Sequence, residues 1–212
     1  MTRDEGVAMI KQVLGFRTGL DSTIVSNMVY CQTRLEAGIT RPQFLVSEDS
    51  FTTTTADEPR ILLPTDFLAE TEQAVLKYRP DTWPDDPEVP LTKDLYDVLF
   101  NNYREAENGP PEAYSRLGNY FYIFPTPDDV YTIRMIYYKR DTVLTSNVEN
   151  GWLKWNPMVL LGKTGKMIAG SLRDSMALSI FNEWEKEGLV LLQTQNVEAE
   201  MTNFDAQIGG PN

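Results

Sequence analysis

The sequence predicts an α+β protein: a helical bundle domain drawn from both ends of the chain and a β-rich antiparallel sheet domain in the middle. Three observations lead there. Residues 1–40 and 156–212 carry apolar side chains at three- and four-residue spacing, bordered by helix-starting and helix-ending residues. The stretch 41–155 breaks instead into short β-branched and aromatic runs separated by proline and acidic turns. Within it, the runs Gly118–Phe124 and Val130–Tyr138 flank Pro125-Thr126-Pro127-Asp128-Asp129 and read as a hairpin. In the second run Tyr131, Ile133, Met135 and Tyr137 share one nearly dry face, while Val130, Thr132, Arg134, Ile136 and Tyr138 share a mixed one.

Taken in order, Thr2-Arg3-Asp4-Glu5 fits a capping box, and Val7, Ile10, Lys11 and Leu14 follow helical spacing up to Gly15 and Gly19. Asp21 or Ser22 is placed to cap a second helix with the stripe Ile24, Val25, Met28, Cys31 and Leu35, ended by Gly38. Phe44–Ser47, Phe51–Thr55 and Arg60–Leu63 read as strands, and Phe67–Thr71 as a helical turn. Residues 79–90 hold four prolines (Pro80, Pro84, Pro87, Pro90) and four acidic residues, which predicts an exposed loop pinned by Trp83. Thr92 is placed to cap an inserted helix over 92–107, broken by Gly109-Pro110-Pro111. Asp141–Gly151 is a polar connector. Asn156-Pro157 starts a helix running toward Leu172, with Gly162, Gly165, Ala169 and Gly170 small enough for close helix approach. Asp174 or Ser175 caps the last helix, whose apolar side is read as Phe181, Trp184, Leu191, Val197, Met201, Phe204 and Ile208, ahead of a loose tail, Gly209-Gly210-Pro211-Asn212. The domain limits are thus 1–40 plus 156–212 for the helical part and 41–155 for the β-rich part.

Composition narrows the function classes. The chain has 212 residues, 42% hydrophobic and 24% charged, ordinary values for a folded soluble protein. Its apolar runs are too short to span a bilayer, and the acidic, polar opening lacks a secretory leader's basic start, so synthesis in the cytosol is expected. Cys31 is the lone cysteine and histidine is absent. That excludes an internal disulfide and any imidazole-based triad within the chain, and disfavours zinc. Cys31 reads as a buried thiol rather than a nucleophile. The net charge of −12, without clustered Lys and Arg, is wrong for gripping a duplex. It serves solubility, or an acidic surface that DNA passes without being held.

Several motifs tempt and fail. Leu161-Gly162-Lys163-Thr164-Gly165-Lys166 resembles the end of a phosphate-binding loop, but the required earlier glycine is Pro157. Asp85 and Asp86 are adjacent, point apart, and read as a solvated turn. Glu183, Glu185 and Glu187, like Glu198 and Glu200, read as solvated helix faces. A glycosidase needs two carboxylates across a cleft, which sequence cannot place. No cofactor or metal is expected. Trp152 and Trp155, close together in Asn150–Asn156, fit either an interface anchor or core packing under the sheet.

The order of elements and several local phrases resemble the phage head-to-tail adaptor proteins, especially the tail-tubular-A-like gatekeepers of short-tailed phages. The phrases are Gln32–Gly38, Leu63–Phe67, Phe124–Asp128, Ile136-Tyr137-Tyr138, Asn150–Leu153, and Ile168-Ala169 through Leu172-Arg173-Asp174. Together they span nearly the whole chain. Pro80–Pro90 matches none of them. The resemblance implies a structural virion protein of the neck or tail, made in the host cytoplasm. It implies a dodecameric ring that binds the portal, meets a tail tube or nozzle protein, and lets DNA through without sequence-specific contact or any membrane. It implies portal docking by a flexible C-terminal arm comprising Asn203, Phe204, Ile208, Gly209, Gly210, Pro211 and Asn212. Trp83, Trp152 and Trp155 are then candidates for ring or tail contacts. A tail-associated cell-wall glycosidase is the alternative.

Overall fold

The computed structural model describes residues 1–38, 41–71, 75–82, 85–145 and 149–208, with the backbone alone at 48, 49 and 198–208. The chain is mixed α+β, with helices at both ends, as its sequence predicts. It divides into two compact units: Met1–Leu45 with Arg140–Asn212, and Val46–Lys139.

The first unit is helical. It holds α1 (Arg3–Val13), α2 (Asp21–Glu36), a single 3-10 turn (Gln43–Leu45), α4 (Gly151–Trp155), α5 (Pro157–Leu172) and α6 (Ser175–Ile208); α3 (Tyr96–Asn102) belongs to the second unit. The capping box of α1 forms in both directions, since Thr2 accepts from the Glu5 amide and Glu5 accepts from the Thr2 amide. Gly15 and Gly19 take left-handed φ values of 69° and 78° at the exit. Asp21 does not cap α2: Leu20 holds the cap position, and the Asp21 carboxylate pairs with Lys11 at 2.8 Å. α5 and α6 form an antiparallel hairpin that turns on Arg173 (φ 56°), with Asp174 Oδ1 accepting from the Ala177 amide at 3.1 Å. Asn156 and Pro157 begin α5 as expected, but Asn156 is fully buried and donates to the Gly188 carbonyl at 2.8 Å instead of capping.

Residues 140–155, expected with the β-rich domain, belong to this helical unit. Hydrogen bonds and burial explain it. Asp141 Oδ2 accepts from the Trp152 amide at 3.0 Å, and Glu36 accepts from Gln32 at 2.8 Å and from the Asp141 amide at 3.3 Å. Asn150 Oδ1 caps α4 through the Leu153 amide at 2.9 Å while its Nδ2 donates to Gln32 at 3.1 Å. Gln32, Glu36 and Asn150 are all buried, so the connector is tied to α2 by a satisfied polar network.

The second unit pairs two sheets. The first sheet orders β1 (Val46–Thr53), β9 (Thr132–Lys139), β4 (Leu76–Arg79) and β5 (Val89–Pro90), with β3 (Phe67–Glu70) also on β9; every pairing is antiparallel. The second orders β2 (Arg60–Leu62), β8 (Tyr120–Phe124), β7 (Ala113–Leu117) and β6 (Thr92–Lys93), with β6 parallel to β7. Their inner faces share one apolar core. Leu76, Ile133, Met135 and Tyr137 come from the first sheet, and Ile61, Tyr114, Phe121 and Ile123 from the second. Phe67 stacks on Tyr137 (5.4 Å) and meets Phe121 edge-on (5.8 Å). On the other side of the second sheet, α3 lays Leu99 on Ala113 and Phe124, and Tyr96 on Tyr122.

Four expectations are corrected here. Gly118–Tyr138 is not a hairpin, because β8 and β9 lie in different sheets. The prolines do stop the ladder, but the chain then changes sheet. The true hairpin is β7–β8, closed at Leu117↔Tyr120 by Gly118-Asn119, with Gly118 at φ 62°. Phe67–Glu70 is a strand on β9, not a helical turn. Residues 92–107 do not form one helix: Thr92 and Lys93 pair with Ala113 and Tyr114, and only Tyr96–Asn102 coils. Phe44–Ser47 is not a strand of its own, since a 3-10 turn runs directly into β1.

Candidate interaction surfaces

The groups that tempt a chemical reading are occupied structurally. Cys31 is buried, its Sγ lies 3.5 Å from Met167 Sδ, and burial pushes its pKa up, away from the reactive thiolate. The Gly162-Lys163-Thr164 segment is mid-helix in α5, and the buried Thr164 hydroxyl donates to the Leu160 carbonyl at 2.7 Å. Backbone amides in a helix interior are already bonded, so no phosphate can be cradled there. Asp86 accepts from Thr82 at 2.5 Å. Glu185, expected on a solvated face, is half-buried and pairs with Lys166 at 2.5 Å. Among the described residues no group of acidic, thiol or imidazole side chains is gathered for a metal, and no helix is long and apolar enough to cross a membrane. The glycosidase alternative draws no support from these placements.

The two tryptophans part company. Trp152 is fully buried inside its own unit, edge-on to Phe44 at 5.2 Å, so it is a core residue and not an interface anchor. The core it fills is helical rather than under a sheet. Trp155 is 51% exposed, with the Lys154 ammonium 4.9 Å from its ring. Residues three apart share a helix face, so spacing does not separate the two rings; Trp155 is the last residue of α4 and stands clear of the core that Trp152 fills. Trp83 lies outside the described residues, as do Gly209, Gly210, Pro211 and Asn212. Asn203, Phe204 and Ile208 fall on the helical backbone of α6, with their side chains outside the described set.

The surface that stands out is α6 itself. Ala177, Phe181, Gly188 and Leu192 are buried, and Phe181 and Gly188 lie directly against α5. Gly162, Gly165 and Gly188 set the approach: a methyl at Gly162 would fall 2.4 Å from the Glu185 amide nitrogen, and one at Gly188 2.4 Å from that of Val159. The small residues expected to permit close packing therefore serve a contact within the protomer. On the far side of α6, Met176, Ile180, Glu183, Glu187, Val190, Thr194 and Val197 are exposed and repeat at four- and three-residue steps. The same spacing continues in the sequence through Met201, Phe204 and Ile208. Merging Phe181 and Val197 into a single apolar side hides this second stripe, although the four-three spacing is there to be counted.

A groove lies between α1 and α2. Its volume is about 360 Å³, and it is floored by Val7, Ala8 and Val25, with Arg3, Asp4, Lys11 and Asp21 at its rim. Arg3 pairs with Asp4 at 2.9 Å and Lys11 with Asp21.

Among the described residues, exposed apolar faces on a mixed helical and sandwich fold are what stand out. Residues 21–199 match the SU10 adaptor protein family, and the chain belongs to that family: it is a phage adaptor protein, a structural component of the virion. No curated protein matches the chain.

Proposed function

We propose that the protein is a head-to-tail adaptor: copies stand side by side in a ring between portal and tail and extend the DNA channel. The observation that carries this reading is the family match across residues 21–199. The tail-tubular-A-like order of local phrases supports placing it in the neck, and a dodecamer is the ring size that resemblance implies. An unpartnered heptad face suits contact with other subunits, since head-to-tail contacts close into rings when the rotation allows. A net charge of −12 suits a lumen that repels phosphate and lets DNA slide. Within this reading the C-terminal residues Asn203–Asn212 dock on the portal, Trp155 is a candidate ring or tail contact, and the tail tube or nozzle protein binds the opposite end.

The test is assembly on purified portal, read by electron microscopy. A ring of adaptor density beneath the portal is expected. Protein that never associates with portal, at any stoichiometry, ends the proposal. Removing Asn203–Asn212 should weaken docking, and unchanged binding would count against the C-terminal arm alone.

A further inference from the structure

We propose that the exposed stripe of α6 is one half of a two-protein coiled coil, and that it takes a basic amphipathic helix of a different protein. This goes beyond the ring reading and holds whether or not copies close into a ring. α5 begins at Pro157, and a methyl at Gly188 would touch Val159, so the α5–α6 hairpin ends near Gly188. Residues 189–208 run on as helix for about 30 Å, at about 1.5 Å per residue. On the inner side of this extension Leu192 is buried and Asn196 donates to the Arg41 carbonyl at 3.1 Å. On its outer side Val190, Thr194 and Val197 are exposed, and Met201, Phe204 and Ile208 continue the four-three spacing in the sequence. A seam of that period is filled by the side chains of another helix laid along it.

Charge chooses the helix, because the positions bordering a heptad seam decide its partner. Along 190–208 these are, in the sequence, Leu191, Gln193, Glu198, Glu200, Asp205 and Gln207: three acids and no base. Glu183 and Glu187, in the seam itself, are exposed and enter no ion pair among the described residues, whereas Glu185 on the inner side is paired with Lys166. The whole of α6 holds six acidic residues and one basic, Lys186. A second α6 would bring the same acids to the same borders, parallel or antiparallel, and like charges facing across an interface are costly. The other helices of the chain do not complement it either. α1 balances two bases with two acids, and α2 sets one base against two acids. α5 has Lys163 and Lys166 and no acid, but it already packs on α6 from the inside. What fits the stripe is a helix with lysine or arginine on both borders of its own apolar seam, supplied by another protein.

The probes are two synthetic four-heptad peptides with isoleucine and leucine in the seam, one bordered by lysine and one by glutamate. Each is titrated into the full-length protein and followed by fluorescence anisotropy. The lysine peptide should bind one per chain and at least about tenfold more tightly than the glutamate peptide, with the difference shrinking in high salt. Val190→Asp with Val197→Asp, both at exposed positions, should weaken it about tenfold at unchanged Tm. Glu198→Lys, Glu200→Lys and Asp205→Lys together should reverse the preference. Asp85→Lys, Glu105→Lys and Glu107→Lys make the same change in net charge at exposed positions of the sandwich and should leave the preference as it was. That comparison separates the stripe from the acidity of the whole chain. Binding of neither peptide, equal binding of both, or a preference that the sandwich changes reverse as fully as the α6 changes overturns the inference. Self-association of wild type that Val190→Asp abolishes puts a second copy on the stripe and overturns it too. None of these results bears on assembly beneath the portal, which tests the ring reading by itself.

Discussion

Alanine at Gly162 or Gly188 adds one carbon to a helix, normally a gain of about 0.5–1 kcal/mol. Here the added carbon meets backbone. At Gly162 it would lie 2.4 Å from the Glu185 nitrogen and 2.8 Å from its Cα; at Gly188, 2.4 Å from the Val159 nitrogen. Relief to ordinary contact near 3.5 Å requires α5 and α6 to separate by about 1 Å. That separation loosens the packing of Phe181, which is fully buried in the same seam. Overpacking of this kind costs about 1–3 kcal/mol, and more where backbone must move, so each variant should lose about 1–2 kcal/mol net of the helix gain. For a chain of this size that is a drop of about 2–8 °C in Tm. Gly170 is the internal control: it sits in the same helix, and a methyl added there would have nothing within 4 Å, so Gly170→Ala should raise stability by about 0.5–1 kcal/mol. The double variant Gly162→Ala/Gly188→Ala should fall short of the sum, because one separation relieves both clashes. The assay is thermal and urea unfolding followed by helical circular dichroism. If Gly162→Ala and Gly188→Ala are as stable as Gly170→Ala, the close approach of α5 and α6 is wrong.

Three further outcomes follow from the same fold. Trp152→Ala should cost about 3–5 kcal/mol in unfolding experiments, while Trp155→Ala should change stability by less than about 0.5 kcal/mol and show its effect only in assembly. Asn150→Ala removes both the α4 cap and the partner of a buried Gln32 oxygen; about 2–4 kcal/mol should be lost in a urea titration, and Asn150→Asp should fail to rescue because it keeps the acceptor but not the donor. At high pH the sandwich should fail first. Burial, aided by the charge of Glu70, pushes the Tyr114 hydroxyl up to about 12, and a hydrogen bond donated to Asp128 pushes Tyr131 up to about 12. Both folded values lie above the ordinary 10.0, so the stability gained by keeping these phenols neutral is complete below pH 10 and is lost as pH rises toward 12. Tyrosinate absorbance and tryptophan fluorescence recorded together test this; ionisation of all tyrosines near pH 10 with no loss of fold would refute it.

Local chemistry made some of this legible. The capping box at Thr2, the Asn156-Pro157 start, the stop at Leu172 and the Asp174 cap are each decided by a few adjacent residues. The alternation along Thr132–Lys139 showed which face of β9 is dry, because Ile133, Met135 and Tyr137 are two apart. What failed was non-local. Nothing within Gly118–Tyr138 says that β9 pairs with β1, β3 and β4 while β8 pairs with β2 and β7. Helical spacing over 92–107 yielded to a parallel pairing with Ala113 and Tyr114, a tertiary contact stronger than a weak propensity. Trp152 and Trp155 were indistinguishable by type and by spacing, since residues three apart share a helix face, and only the tertiary packing around a five-residue helix separates them. The exposed stripe on α6 is readable in its four-three spacing, and is obscured when buried Phe181 and exposed Val197 are counted on one side.

The chain enters the sandwich at Val46 and leaves it at Lys139, and Val46 sits opposite Tyr138 on adjoining strands. The whole of 46–139 is thus a loop out of the helical unit whose two feet stand side by side. On the ribosome, those residues are complete before the first residue of α5 is made. α1 and α2 must wait, their apolar faces at Ile10, Ile24 and Met28 uncovered, until Leu161 arrives from the far end of the message. Order of folding therefore departs from order of synthesis, with residues 46–139 finished first and the two terminal segments joining last.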